Sequence, residues 1–201
     1  LTYMGRYITL MKNCGFSKEK AVMIETRYHE LYKASDAWVA AKLDQAMTDG
    51  YVTVAFGLRV RTPLLGQVIR GTSKTPYEAE AEGRSAGNAF GQSWCLLNSR
   101  AWAEFMAKVR TSKHRLDIRP CAQIHDTGYA LVRDNIENVV FMNTHLVKAV
   151  QWQEDPAIAH DEVKLGGKLS IFYPDWNGDI TIPNGATGEE IIALIDEQLA
   201  A

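Results

Sequence analysis

The tetrad Gln123-Ile124-His125-Asp126 sets an imidazole beside a carboxylate, between apolar and β-prone runs at 118–124 and 129–132. An aspartate at the bend of such a hairpin projects from a sheet edge. With a second carboxylate from a neighbouring strand it could bridge two Mg²⁺ ions, which activate an attacking oxygen and stabilise a leaving oxygen in an in-line displacement. Mg²⁺ prefers oxygen ligands, so Asp126 suits it better than His125 does. The same pair also fits a plain turn, where aspartate is common.

Arg84, Asn88 and Gln92 follow at intervals of four. On a helix they share one face, and their side chains carry donors for base edges and sugars. Ser85, Ala86, Gly87, Ala89 and Gly91 lie between them and would let a duplex approach the backbone. A solvated helix face is the alternative reading of the same stripe.

These groups need elements to hold them. Ser17 precedes a helical pattern with Ala21, Ile24, Tyr28 and Leu31, and Asp36 can cap a second helix through Trp38, Leu43 and Met47 that Asp49-Gly50 stops. The runs 51–56 and 59–62 around Gly57-Leu58 predict a hairpin. Thr75, Pro76 and Glu78 read as a capped helix start, and the helix could continue to Arg110 or break near Gly91-Gln92. Gly83, Gly87 and Gly91 recur along it and imply a close approach. Asp134 to Glu137 reads as a capping box before a helix carrying Val139, Val140 and Val147. A strand at 165–172 and a short amphipathic helix after Thr187, with Ile191, Leu194 and Ile195, close the pattern. The fold class expected is α+β, with long helices beside an antiparallel sheet whose central hairpin carries His125-Asp126.

Composition bounds the function. The chain has 201 residues, 46% hydrophobic and 23% charged, with no apolar run long enough to span a membrane. It begins at Leu1 without a methionine or a signal-like stretch, which reads as a fragment or processed product in the cytoplasm. Cys14, Cys95 and Cys121 lie far apart, as buried reduced thiols would, and show no zinc spacing. The net charge of −2 argues against a free-standing nucleic-acid-binding domain. Local clusters argue for one: Lys108, Arg110, Lys113, His114, Arg115 and Arg119 in one stretch, and Arg59, Arg61, Arg70 and Lys74 in another.

Gly50-Tyr51-Val52, Gly57-Leu58-Arg59, the Arg84/Asn88/Gln92 stripe and Gln123-Ile124-His125-Asp126 resemble, in order, the C-terminal motifs of family A DNA polymerases, with a tailed-phage flavour around Gln151-Trp152 and Gly166-Gly167. Leu1-Thr2-Tyr3 is similar to the end of the family's nucleotide-binding finger helix. The resemblance covers about Leu1 to Trp176 and implies template-directed addition of deoxynucleotides to a primer 3′ end. It implies that Tyr3 lies near the incoming nucleotide, and that Arg84, Asn88, Gln92, Gln123 and His125 contact primer–template DNA. Asp126 becomes the second carboxylate of a two-Mg²⁺ site, its partner aspartate coming from an upstream polypeptide.

The same resemblance implies finger helices at 1–50 and a palm at 51–176, and 177–201 reads as a family-independent appendage beyond it. The resemblance implies deoxynucleoside triphosphates as substrates, and the cytoplasm expected from the sequence would be that of a host if the protein is viral. Thr127 departs from the family, which usually has Glu after the aspartate. The chain alone is expected to be inactive. A non-enzymatic nucleic-acid-binding piece is the alternative. A His-Asp metal phosphohydrolase fits less well, because His29, His114, His145 and His160 make no evident ligand set with His125-Asp126.

Overall fold

Ser17 begins a helix as its residue type suggests: its Oγ accepts the Lys20 N–H at 3.3 Å. The computed structural model describes Leu1, residues 5–68 and residues 75–200, so Tyr3, Arg70 and Lys74 lie outside the described residues. The chain divides into two compact units, Leu1–Trp94 and Cys95–Ala201.

In the first unit, α1 (Tyr7–Cys14), α2 (Lys18–Leu31) and α3 (Lys33–Asp49) run in succession. Asp36 does not cap α3. It lies in the first turn behind Tyr32, and its Oδ2 meets His29 Nδ1 at 2.7 Å. Gly50 ends α3 at φ 73, as the Asp49-Gly50 step predicts. The hairpin that follows pairs β1 (Tyr51–Thr53) with β2 (Arg59–Arg61), both shorter than the β-prone runs. The next helix, α4 (Tyr77–Gln92), starts one residue later than expected, with Pro76 at the cap position. Ala46, Val52, Leu65, Ala86 and Phe90 form the buried cluster of this unit. Gly83 explains itself here, since a Cβ on it would come 3.1 Å from Leu65 Cδ1.

The helix begun at Tyr77 does break at Gln92. A 3-10 turn over Ser93–Cys95 separates it from α5 (Leu96–Arg110). In the second unit, β3 (Ile118–Ile124) pairs antiparallel with β4 (Thr127–Val132), and β5 (Leu169–Phe172) pairs with β6 (Asp179–Ile182). Among the described residues the antiparallel pairing is split into three two-stranded ribbons and does not form one sheet. Helix α6 (Ile136–Val150) is capped by Asn135, one residue after the expected Asp134, and Asn135 Oδ1 accepts the Glu137 N–H at 2.8 Å.

Helix α7 (Gly188–Ala200) has the reciprocal cap its sequence encodes: Glu190 Oε2 accepts the Thr187 N–H at 2.8 Å, and Thr187 Oγ1 accepts the Glu190 N–H at 3.3 Å. Those bonds, backbone first, hold the Glu190 carboxyl below its ordinary pKa. Trp102, Phe105, Ile118, Met142, Leu146 and Ile191 sit in one core, and Ile180 and Ile182 of β6 join it. Strand β6 was not anticipated, although Ile180 and Ile182 alternate with exposed neighbours as a half-buried strand requires.

The cysteines are unpaired as expected but not buried. Cys14, Cys95 and Cys121 are free and exposed, because they fall at a helix end, at the break before α5 and at a strand irregularity. Among the described residues, no helix is long and apolar enough to cross a membrane.

Candidate functional site

The register Ile124↔Thr127 leaves His125 and Asp126 as the two residues of a tight hairpin turn. Tight two-residue turns need positive φ at the first position to match the strand twist. His125 supplies it at φ 53, a conformation histidine adopts more readily than most residues. Both side chains are exposed, and among the described residues Asp126 makes no ion pair or hydrogen bond. A carboxylate held out at a turn with no cation beside it is available to an external positive charge.

Two contacts from α5 fix the hairpin below its tip. Gln123 Nε2 donates to Ser99 Oγ at 2.8 Å. One helical turn further on, Trp102 is nine-tenths buried, and its indole lies where Gly128 would otherwise carry a side chain. Gln123 and Gly128 are cross-strand partners, so both anchors grip the same rung. A bulge at Cys121 interrupts the ladder between Pro120 and Ala122, where Pro120 has no N–H to donate. Ser99 and Trp102 were missed from sequence. Their spacing of three on one helix face, and a glycine inside a β-run, are the signals that mark such a close approach.

In the first unit, Arg84, Asn88 and Gln92 do fall on one stripe of α4, with Arg84 and Asn88 half-buried and Gln92 exposed. Arg84 donates to Glu80 Oε1 at 2.7 Å and lies 5.8 Å from the Tyr77 ring centroid. Asn88 Oδ1 is buried without a hydrogen-bond partner, which costs stability unless a donor arrives. Gln92 makes no hydrogen bond among the described residues.

The basic clusters are partly consumed within the fold. Lys108 pairs with Glu104 at 3.1 Å, Lys113 pairs with Glu137, and His114 is buried with its Nδ1 2.6 Å from Asn138 Oδ1. The Lys108 hydrogen bond is the main reason the Glu104 carboxyl is held below its usual range, and Lys113 does the same for Glu137. Arg110 and Arg115 remain exposed. In the first unit Arg59 and Arg61 line the exposed strand β2, with the Arg59 guanidinium 4.4 Å from the Tyr51 ring centroid.

Among the described residues no three His, Cys, Asp or Glu side chains gather as a metal-ligand set. Asp126 stands apart from any such set among the described residues.

The fold of this chain is similar to part of a DNA polymerase domain. A matching solved structure is the polymerase domain of Pol1 from M. smegmatis in complex with DNA primer-template and dNTP, at a TM-score of 0.58 and 22% identity. The match covers 74% of this chain but 25% of that chain, so the chain spans about a quarter of its neighbour's length. No family model and no curated protein matches the sequence.

Proposed function

We propose that this chain is the C-terminal part of a family A DNA-directed DNA polymerase of the tailed-phage type, contributing one of the two carboxylates that nucleotide addition requires. The observation that carries the reading is Asp126, unpaired at the apex of a two-residue turn, in a chain whose fold is similar to part of a DNA polymerase domain. In this reading the palm spans 51–176, the finger helices lie within 1–50 and the appendage follows at 177–201. Primer–template DNA, deoxynucleoside triphosphates and an upstream polypeptide are the partners, and the cytoplasm, or that of a host, is the setting.

Each residue has a part. Asp126 would hold one side of the Mg²⁺ site, and the second carboxylate would come from the upstream polypeptide. When bound, the metal supplies charge neutralisation at the transferring phosphoryl group. His125, beside Asp126 in the turn, would meet the primer terminus. Gln123 would steady the turn through Ser99 while lying near the DNA. Arg84, Asn88 and Gln92 would contact the duplex. The exposed Gln92 amide, which makes no hydrogen bond among the described residues, supports that role, because it offers hydrogen-bonding capacity that the fold leaves unused. Tyr3 would lie near the incoming nucleotide.

The experiment is primer extension by a complete polymerase polypeptide containing this chain, comparing wild type with Asp126→Ala. The 201-residue chain alone should bind primer–template without extending it. A non-enzymatic nucleic-acid-binding role becomes the better reading if the complete polypeptide binds DNA and extends it equally with and without Asp126.

A further inference from the structure

Phe56 has φ 57 and ψ 24, the left-handed region that a bulky side chain seldom enters. Gly57 follows at φ 72, so two successive residues with positive φ close the loop of the β1–β2 hairpin. The first such position ordinarily belongs to Asn, Asp or Gly. Backbone strain of this kind persists only where the surroundings over-determine it, and it gathers at ligand clamps and functional sites.

The two residues that follow Gln92 belong to these surroundings. The Phe56 ring meets the Trp94 ring, with centroids 5.7 Å apart and planes at 55°. The preceding residue, Ala55, is buried, and its N–H donates to Ser93 Oγ at 3.2 Å. Ser93 Oγ in turn donates to the Phe90 carbonyl at 3.5 Å, and the Ser93 N–H reaches the Ala89 and Gly91 carbonyls. The hairpin apex therefore grips the last turn of α4 at the point where the chain leaves helical geometry.

We propose that Phe56 and Ser93 are positioning residues for Gln92: together with Ala55 and Trp94 they clamp the end of α4 and so fix the direction in which the Gln92 amide leaves the helix. The consequence for catalysis rests on the proposed contact of Gln92 with the duplex and puts that contact on the minor-groove edge of the primer's last base. The clamp itself is a property of this unit alone. It accounts for a strained aromatic at a turn where glycine would be free of strain. It also accounts for a serine at the helix end whose hydroxyl joins two segments 38 residues apart in sequence.

Two measurements test it. The first uses the 201-residue chain and amide hydrogen exchange across residues 91–95. Phe56→Gly keeps the turn conformation accessible while removing the ring, and Ser93→Ala removes the hydroxyl. Each should raise exchange there by about tenfold or more while 77–88 stays protected. Ser93→Thr, which keeps the hydroxyl, should remain near wild type. Unchanged exchange in both Phe56→Gly and Ser93→Ala would overturn the clamp.

The second measurement uses a complete polymerase polypeptide and a primer ending in guanine or in 3-deazaguanine, which lacks the minor-groove N3 acceptor. Wild type should slow on the analogue. Phe56→Gly and Ser93→Ala should lose that discrimination as Gln92→Ala does, and Ser93→Thr should keep it. Full discrimination retained by both clamp variants would overturn the positioning role even if their melting temperatures fall. If Gln92→Ala discriminates like wild type, the reading of Gln92 fails, and the clamp is then decided by exchange alone.

Discussion

The indole of Trp102 fills the space that a side chain at Gly128 would need: a Cβ at Gly128 would lie 1.7 Å from Trp102 Nε1. The contact explains why glycine occurs inside β4 and how α5 supports the turn that carries His125 and Asp126. It also makes the hairpin's stability depend on one aromatic side chain.

Gly128→Ala should therefore destabilise the chain by about 1–3 kcal/mol, as overpacking a close contact does. Urea unfolding measures it. Adding Trp102→Leu should recover part of the loss, since the smaller side chain leaves room for the new methyl group. Additive losses in the double variant would show that the two residues do not share this contact.

Ile191 is fully buried against the core that β6 and α6 help to form. Ile191→Ala should cost about 2–5 kcal/mol, the range for truncating a buried isoleucine. Deleting residues 177–201 from a complete enzyme should lower its melting temperature more than its turnover. A deletion that abolishes turnover at unchanged melting temperature would give this segment a part in the chemistry.

His145 is held below the ordinary histidine pKa, chiefly by burial and then by Lys108, Lys148 and His114. A lowered folded-state pKa means that the unfolded chain binds the proton more readily. The stability is complete above the unfolded value of about 6.5 and declines as pH falls through the folded value. His145→Gln should flatten the part of the melting-temperature decline that begins below about pH 6.5. An unaltered profile across pH 5 to 7.5 would remove His145 as its source.

Local signals in the sequence located most elements but misplaced several boundaries. The Thr187–Glu190 cap and the Gly50 stop rest on side chains and glycine conformations that act within one turn of chain, so they were legible. The caps at Pro76 and Asn135 shifted by one residue because neighbouring residues compete for the same cap position. The chemistry around the turn was legible from His125-Asp126, and the supports were not. Ser99 and Trp102 reach the hairpin only through tertiary packing. The basic run at 108–119 overstated its free charge: Glu137 reaches Lys113 from α6, and Glu104, four residues before Lys108 on α5, meets it at a helical spacing the sequence already shows.

Thr127 begins β4 directly after Asp126, exposed and paired across the ladder with Ile124. A glutamate there has room and would restore the residue usual in the family that the motifs resemble. Thr127→Glu should leave single-turnover extension within about threefold of wild type, which is under 1 kcal/mol in barrier height. A loss of about a hundredfold or more, some 2.7 kcal/mol, would mean that this turn is tuned around threonine.

The most direct test is single-turnover primer extension by Asp126→Ala in a complete polymerase, alongside a primer–template binding titration with Mg²⁺ present. Asp126 is proposed to act where charge develops on the transferring phosphoryl group, so its loss should affect the transition state far more than the ground state. Duplex affinity depends mainly on cationic groups at phosphates, which this substitution leaves in place. Near-complete loss of extension is expected, with binding retained or slightly tightened. Extension within a few-fold of wild type would contradict the proposed role and leave Asp126 as a turn residue only.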